Sequence, residues 1–216
     1  MIRRADLEET AVVCIIDDDS DVRDGLSSLI RSVGLQVEVF GSAEEFLRTE
    51  LPSAPCCVIL DVRLPGLSGL DFQAEFANGK SNLPIVFITA HGDIPMSVKA
   101  IKAGAVEFLT KPFREQDMLD AVRIALERDR ERRQSDGVAS DVRSRFESLT
   151  AREREVVALA VMGRMNKQTA AEIGISEMTV KVHRHNAMQK LGAKSLVDLV
   201  RMADILGIRP AMRPVD

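Results

Sequence analysis

The chain is 216 residues long, 45% hydrophobic and 29% charged, enough for two compact domains of about 100 residues each and too apolar for wholesale disorder or a low-complexity scaffold. No apolar run reaches the roughly 20 residues of a membrane span, and Asp6, Glu8 and Glu9 stand where a secretory leader would be apolar; a cytoplasmic protein is expected. The net charge of −4 conceals an asymmetry: residues 1–126 hold 12 Lys and Arg against 20 Asp and Glu, and residues 149–216 hold 11 against 7, so the two ends suit different partners, the second a polyanion.

In chain order, Val12–Ile16, Gln36–Phe40, Cys56–Leu60, Pro84–Ile88 and Ala105–Leu109 are short apolar runs that predict strands. Between and after them, amphipathic stretches predict helices over Val22–Val33, Ser42–Leu51, Ser68–Ala77, Pro95–Ala103 and Glu115–Arg133, with Gly34, Gly79 and Gly104 near C-terminal ends. Five strands alternating with helices imply a parallel sheet covered on both faces, so residues 1–126 are read as a doubly wound (βα)5 domain. Cys14, Cys56 and Cys57 lie in or beside strands without metal-ligand spacing and are read as buried free thiols. Residues 127–148 hold six basic and six acidic side chains; they predict a charged helical linker that continues the fifth helix, either unbroken or interrupted near Gly137 and resumed.

Residues 149–216 contain no strand-like run and predict four short helices. Thr150 and Glu153 form a capping box that starts the first, running to about Met162. The second spans Lys167–Ile173 and turns at Gly174; the third, capped by Ser176, spans Glu177–Leu191 and stops at Gly192. Ser195 with Asp198 starts the fourth, ending near Leu206. With no Trp and no Tyr, nucleic-acid contact would rest on groove insertion and charge, not on base stacking.

Ligands of open parallel sheets bind at the carboxyl ends of the strands, and four of those ends carry reactive groups: Asp17-Asp18-Asp19, Asp61, Thr89 and Lys111. Carboxylates gathered there repel one another, and a hard divalent cation such as Mg2+ relieves the repulsion. Asp61 can then attack a phosphoryl donor, with the Lys111 ammonium neutralising the transferred group and the Thr89 hydroxyl donating to it. An Asp run after a strand is alternatively a solvated turn. A calcium loop fails because Val22 and Ser28 occupy the positions of its turn glycine and terminal Glu.

The segments CIIDDDSDVRDGL, CVILDVRLPGLSGLDF, LPIVFITAHGD and KAGAVEFLTKPF resemble the hallmark motifs of bacterial response regulator receiver domains over nearly all of residues 11–126. The resemblance implies a flavodoxin-like fold, Asp61 as phosphoacceptor, and Mg2+ or Mn2+ held by Asp17, Asp18, Asp61 and the backbone carbonyl of Arg63. It also implies Thr89 as switch hydroxyl, Lys111 as phosphate-binding lysine and Phe108 as switch aromatic. From the residues alone, Phe108 is an ordinary strand-face core residue.

On Glu177–Leu191, Val180, Ala187 and Leu191 share one side, while Lys181, Arg184, His185 and Gln189 are placed opposite. A short helix, a glycine turn and a second helix with a basic outward side form a pattern suited to the major groove. Over essentially residues 149–203, the run LTAREREVVALAVMGRMNKQTAAEIGISEMTVKVHRHNAMQKLGAKSLVDLV is similar to the LuxR-type domain of NarL/FixJ response regulators. That similarity implies base-edge contacts from Lys181, Val182 and His185, and phosphate contacts from Asn166, Lys167, Thr179, Arg184 and Lys190. Thr169 stands where the family usually has Ile, and Met178 replaces a frequent Arg. His183 and His185, two apart on a helix, point to different sides and do not make a metal pair.

The expected protein is therefore a response regulator rather than an enzyme. A histidine kinase phosphorylates it, and it then forms homodimers through the fourth helix, fifth strand and fifth helix and binds promoter DNA, with RNA polymerase a candidate further partner. A haloacid-dehalogenase-type phosphohydrolase, with Asp17 as nucleophile, would need an acidic pair on a strand end after Lys111. A receiver joined to a protein-interaction module is the other alternative.

Overall fold

The computed structural model describes residues 11–66, 68–78 and 83–208; the expected helix end at Gly79 and the acidic residues of the N-terminus lie outside them. The chain divides into two compact units, 1–133 and 134–216.

In the first unit, β1 (Val12–Ile16), β2 (Gln36–Phe40), β3 (Cys56–Asp61), β4 (Ile85–Thr89) and β5 (Glu107–Thr110) form one parallel sheet in the order β2-β1-β3-β4-β5. Side chains alternate across a strand, and the sequence of β1 fills both faces. Val12, Cys14 and Ile16 point to one side with Phe46, Val58, Leu60, Phe72 and Phe87; Val13 and Ile15 point to the other with Leu26, Ile30, Ile59, Met118 and Val122. The first layer is covered by α2 (Ala43–Leu47), α3 (Gly69–Asn78) and α4 (Ile94–Lys102), the second by α1 (Ser20–Ser32) and α5 (Glu115–Glu147). Cys14, Cys56 and Cys57 are free and buried as expected. The hydrogen bond between Cys14 and Cys56, with burial, raises the Cys14 thiol pKa, and burial raises that of Cys57, which keeps both protonated.

Several boundaries differ from expectation, among them β5, which runs Glu107–Thr110 where 105–109 was expected, and α1, which starts at Ser20 two residues before the expected Val22. The second helix stops at Leu47 instead of Leu51: the Arg48 and Thr49 N–H groups bond three residues back, to the Glu45 and Phe46 carbonyls, and Pro52 bars Leu51 from the helical region. Pro84 has no N–H to give a ladder, so β4 begins one residue later, although the Pro84 carbonyl still accepts from Val58 N–H. The fifth helix runs unbroken through Gly137 to Glu147: one helical glycine costs only about 1 kcal/mol, and no proline stands nearby to stop it. Its residues up to Arg133 belong to the first compact unit. Asp129, fully buried, accepts from Cys56 N–H at the start of β3 and is gripped by Arg132 and Arg133. Arg133 also reaches the carbonyls of Pro52 and Ser53.

In the second unit, the last turns of α5 join α6 (Ala151–Val161), α7 (Asn166–Ile173), α8 (Glu177–Leu191) and α9 (Leu196–Ile205). The Thr150–Glu153 capping box is formed, with bonds of 3.2 and 2.8 Å, and Gly174 turns the chain between α7 and α8 at φ +71°. Leu149, Val157, Ala187, Leu191 and Leu199 make one core, and Val156, Ala170 and Val180 a smaller one. Thr169 is buried beside Ala170. Arg145 donates to the Leu191 carbonyl at 3.2 Å, placing a cation at the C-terminus of α8 where the helix dipole favours it.

Candidate functional site

The sheet order reverses between β1 and β3, and the crevice there is bounded by the residues ending those two strands. Asp17 follows β1 and is fully buried; Asp61 ends β3 and is 7% exposed; Asp18 is exposed at the rim. Carboxylate oxygens of the three lie within 4.8 Å of one another. Lys111 Nζ donates to Asp17 Oδ2 and Asp61 Oδ2, both at 2.7 Å. Burial raises the Asp17 pKa against the opposing pull of Lys111. Burial lowers that of Lys111, but its bonds to Asp17 and Asp61 outweigh this and the ammonium is held above its ordinary range.

Local structure fixes each group. Asp17 Oδ1 accepts from Asp19 N–H, Asp61 Oδ1 accepts from Arg63 N–H, and the Arg23 guanidinium donates to the Asp17 carbonyl. Lys111 is tethered by its own N–H to the Thr89 carbonyl at 2.7 Å. Thr89 ends β4, fully buried, and its hydroxyl accepts from His91 N–H at 3.3 Å. Phe108 is half-buried on β5, its ring 6.2 Å from that of Phe87. The structure therefore brings Asp17, Asp18, Asp61 and Lys111 together directly, with Thr89 and Phe108 on the adjoining strands. Asp19 proves to be the N-cap of α1. Glu115 and Asp117 sit in the first turn of α5, so the strand-end acidic pair of a dehalogenase is not made by them.

Sequence reasoning passed over Arg23, Gly69 and Gly92. A Cβ on Gly69 would stand 2.5 Å from the Asp61 carbonyl oxygen; one on Gly92 would stand 2.8 Å from Phe108 Cε1 and Thr110 Cγ2 and 3.2 Å from Thr89 Cγ2. Both positions are kept bare for close approach, and a glycine beside a motif was the only signal available.

In the second unit, Met178, Lys181, Val182, His185 and Gln189 are exposed on α8, on the side away from the buried Val180, Ala187 and Leu191. Arg184 departs from the sequence reading. It is half-buried on the flank and donates to Asn166 Oδ1 at 3.1 Å, because the 100° step per residue carries it off the outward ridge. Lys167 is exposed, Thr179 shares a 2.7 Å hydroxyl contact with Ser176, Lys181 pairs with Glu177 at 3.3 Å, and Lys190 pairs with Glu153 at 2.7 Å.

An acidic strand-end pocket in one unit and a helix-turn-helix in the other are the organisation of a signal receiver joined to a DNA-binding output, which is the class called two-component response regulators. Comparison with known proteins agrees. Residues 13–123 match the response regulator receiver domain, and residues 147–203 match the bacterial regulatory proteins of the luxR family. Nodulation protein W of Bradyrhizobium diazoefficiens is 53% identical over 198 residues, which cover 92% of this chain and 87% of that one. The transcriptional regulatory protein FixJ of Azorhizobium caulinodans is 41% identical over 205 residues, 95% of this chain and 97% of that one. Among solved structures, response regulator StyR is similar with a TM-score of 0.78 at 50% identity, covering 90% of this chain and 98% of that one. The chain belongs to the NarL/FixJ family of two-component response regulators and acts in transcription regulation. Its receiver implies a histidine kinase as partner, and its luxR-type domain implies DNA. No helix among the described residues is long and apolar enough to cross a membrane.

Proposed function

We propose that Asp61 is the phosphoacceptor of a switch that controls dimerisation and promoter binding in the cytoplasm. The observation that carries this is the Lys111 ammonium, bonded at 2.7 Å to both the buried Asp17 and Asp61: a cation already aimed at the carboxylate whose attack would bring in more negative charge. The Asp61 carboxylate attacks the phosphorus of a phosphohistidine on the kinase; the P–N bond breaks, an acyl phosphate forms, and the histidine leaves with a proton from solvent. Three carboxylates within 4.8 Å suit a hard divalent cation, so Asp17, Asp18, Asp61 and the Arg63 carbonyl would hold Mg2+, or Mn2+. When bound, that ion supplies positive charge to the phosphoryl oxygens.

On phosphorylation, Lys111 turns to a phosphoryl oxygen, Thr89 donates its hydroxyl to another, and Phe108 moves into the space Thr89 leaves. Ile94, Val98 and Ile101, exposed along one side of α4, support self-association through α4, β5 and α5. Residues 1–126 act as receiver, 127–148 as charged helical linker and 149–216 as output. On DNA, Lys181, Val182 and His185 meet base edges, while Asn166, Lys167, Thr179, Arg184 and Lys190 meet phosphates. The chemistry stops at self-phosphorylation and dephosphorylation of Asp61, so the protein is not otherwise an enzyme; a promoter-bound dimer would also be placed to meet RNA polymerase.

The test measures oligomeric state and salt-dependent promoter affinity with and without Mg2+ and beryllofluoride, which mimics an acyl phosphate. Both should rise for the wild type and neither for Asp61→Asn. Binding that ignores the additive would refute control through this pocket.

A further inference from the structure

The outward ridge of α8 holds a group that neither packing nor charge explains. Met178 is 69% exposed and Val182 50% exposed, and at a spacing of four residues their side chains are neighbours. Lys181 and His185, three and seven residues beyond Met178, stand on the same exposed side. The buried Val180, Ala187 and Leu191 occupy the opposite side of the helix, so the methionine serves no core. An exposed apolar pair beside Lys181 and His185, on a domain with 11 Lys and Arg against 7 Asp and Glu, has charge complementarity to a polyanion and apolar complementarity to something within it.

The major groove offers one such feature, the C5-methyl group of thymine. Methionine suits that contact because its unbranched thioether adapts to an irregular apolar surface. A methionine here forms no hydrogen bond to a phosphate, so its contribution is to choice of sequence instead of to salt-dependent affinity. We infer that Met178, beside Val182, reads a thymine methyl group and makes the half-site of this protein thymine-dependent at the position the N-terminal turn of α8 faces. The inference rests on the DNA-binding reading above and adds a specificity residue to it.

The experiment uses the full chain with Mg2+ and beryllofluoride and a double-stranded oligonucleotide pool with a randomised core. Enriched sites are resynthesised with single thymines replaced by deoxyuridine, which removes the methyl and leaves base pairing intact. For the wild type, at least one substitution per half-site should weaken binding about three- to four-fold, as expected for one buried methyl. Met178→Ala should bind the thymine and deoxyuridine sites with nearly equal affinity at that position. Met162→Ala, also on an exposed methionine but at the end of α6, should keep the wild-type ratio. Enriched sites insensitive to every thymine replacement, or an unchanged ratio in Met178→Ala, would overturn the assignment while leaving DNA binding intact. A pool with no enrichment and no salt-dependent binding would overturn the DNA-binding reading itself, and this inference with it.

Discussion

Replacing Asp129 with Ala removes a fully buried carboxylate that accepts from Cys56 N–H at 2.9 Å, Arg132 at 2.6 Å and Arg133 at 2.6 Å. Breaking a buried ion pair by deleting one partner costs about 3–5 kcal/mol. The two arginine side chains are each 28% exposed, so water recovers part of their solvation and the expected loss falls to about 2–3 kcal/mol. At a urea slope of about 2 kcal/mol per molar, the unfolding midpoint of the receiver should drop by about 1–1.5 M. With no Trp or Tyr in the chain, the transition is followed by far-UV circular dichroism, and exchange of the Cys56 amide hydrogen supplies the local reading. Burial raises the Asp129 pKa, but bonds from Arg133, Cys56 N–H and Arg132 outweigh it and hold the carboxyl below its usual 3.8. A depressed native pKa contributes stability that is present above the unfolded value and lost as pH falls through the folded one. The gap between wild type and variant should thus be full at pH 7 and shrink below about pH 4. Equal protection of the Cys56 amide in both proteins, or a midpoint unchanged at pH 7, would refute this account of the anchor.

Four further outcomes are expected. Gly92→Ala drives a methyl into Phe108 and Thr110 at 2.8 Å and should lower receiver stability by about 1–3 kcal/mol, seen as a fall in Tm; an unchanged Tm would show the ring has room. Gly69→Ala meets the Asp61 backbone at 2.5 Å and should lose phosphoryl labelling from a small-molecule donor while circular dichroism shows a folded receiver. A Cβ on Gly137 meets nothing within 4 Å, so Gly137→Ala should raise helix stability by about 0.5–1 kcal/mol, measured as a higher midpoint in urea. Glu153, held below its usual 4.5 by Lys190 and Thr150 N–H, should yield under about 1 kcal/mol on change to Gln because Lys190 is 39% exposed. That difference is present above pH 4.5 and fades as pH falls through the native pKa.

Four strands were legible because each is an apolar run closed by a polar residue, β2 because Val37 and Val39 alternate with Gln36 and Glu38, and the second unit because Thr150, Ser176, Gly174 and Gly192 state helix ends directly. The acidic pocket was legible for the same reason: its members are strand-terminal polar groups, placed by topology alone. What stayed hidden depends on contacts distant in sequence. Asp129 read as one more charge in a solvated helix, since nothing nearby reveals a bond to Cys56. Continuity of α5 through Gly137 turned on a balance of about 1 kcal/mol that spacing does not resolve. Arg184 was placed on the outward side by charge, whereas helical geometry and Asn166 put it on the flank.

The Arg145 guanidinium closes the C-terminus of α8 through the Leu191 carbonyl, and this bears on how such proteins exchange parts. A hybrid regulator joined at Glu147, where the match to the luxR family begins, would discard the side chain that finishes the recognition helix. A junction near Gln134, beyond the arginines that grip Asp129 and before the turn carrying Arg145, leaves both sets of bonds whole. In this protein the interchangeable cassette is therefore longer than its homology, and the seam lies inside a helix.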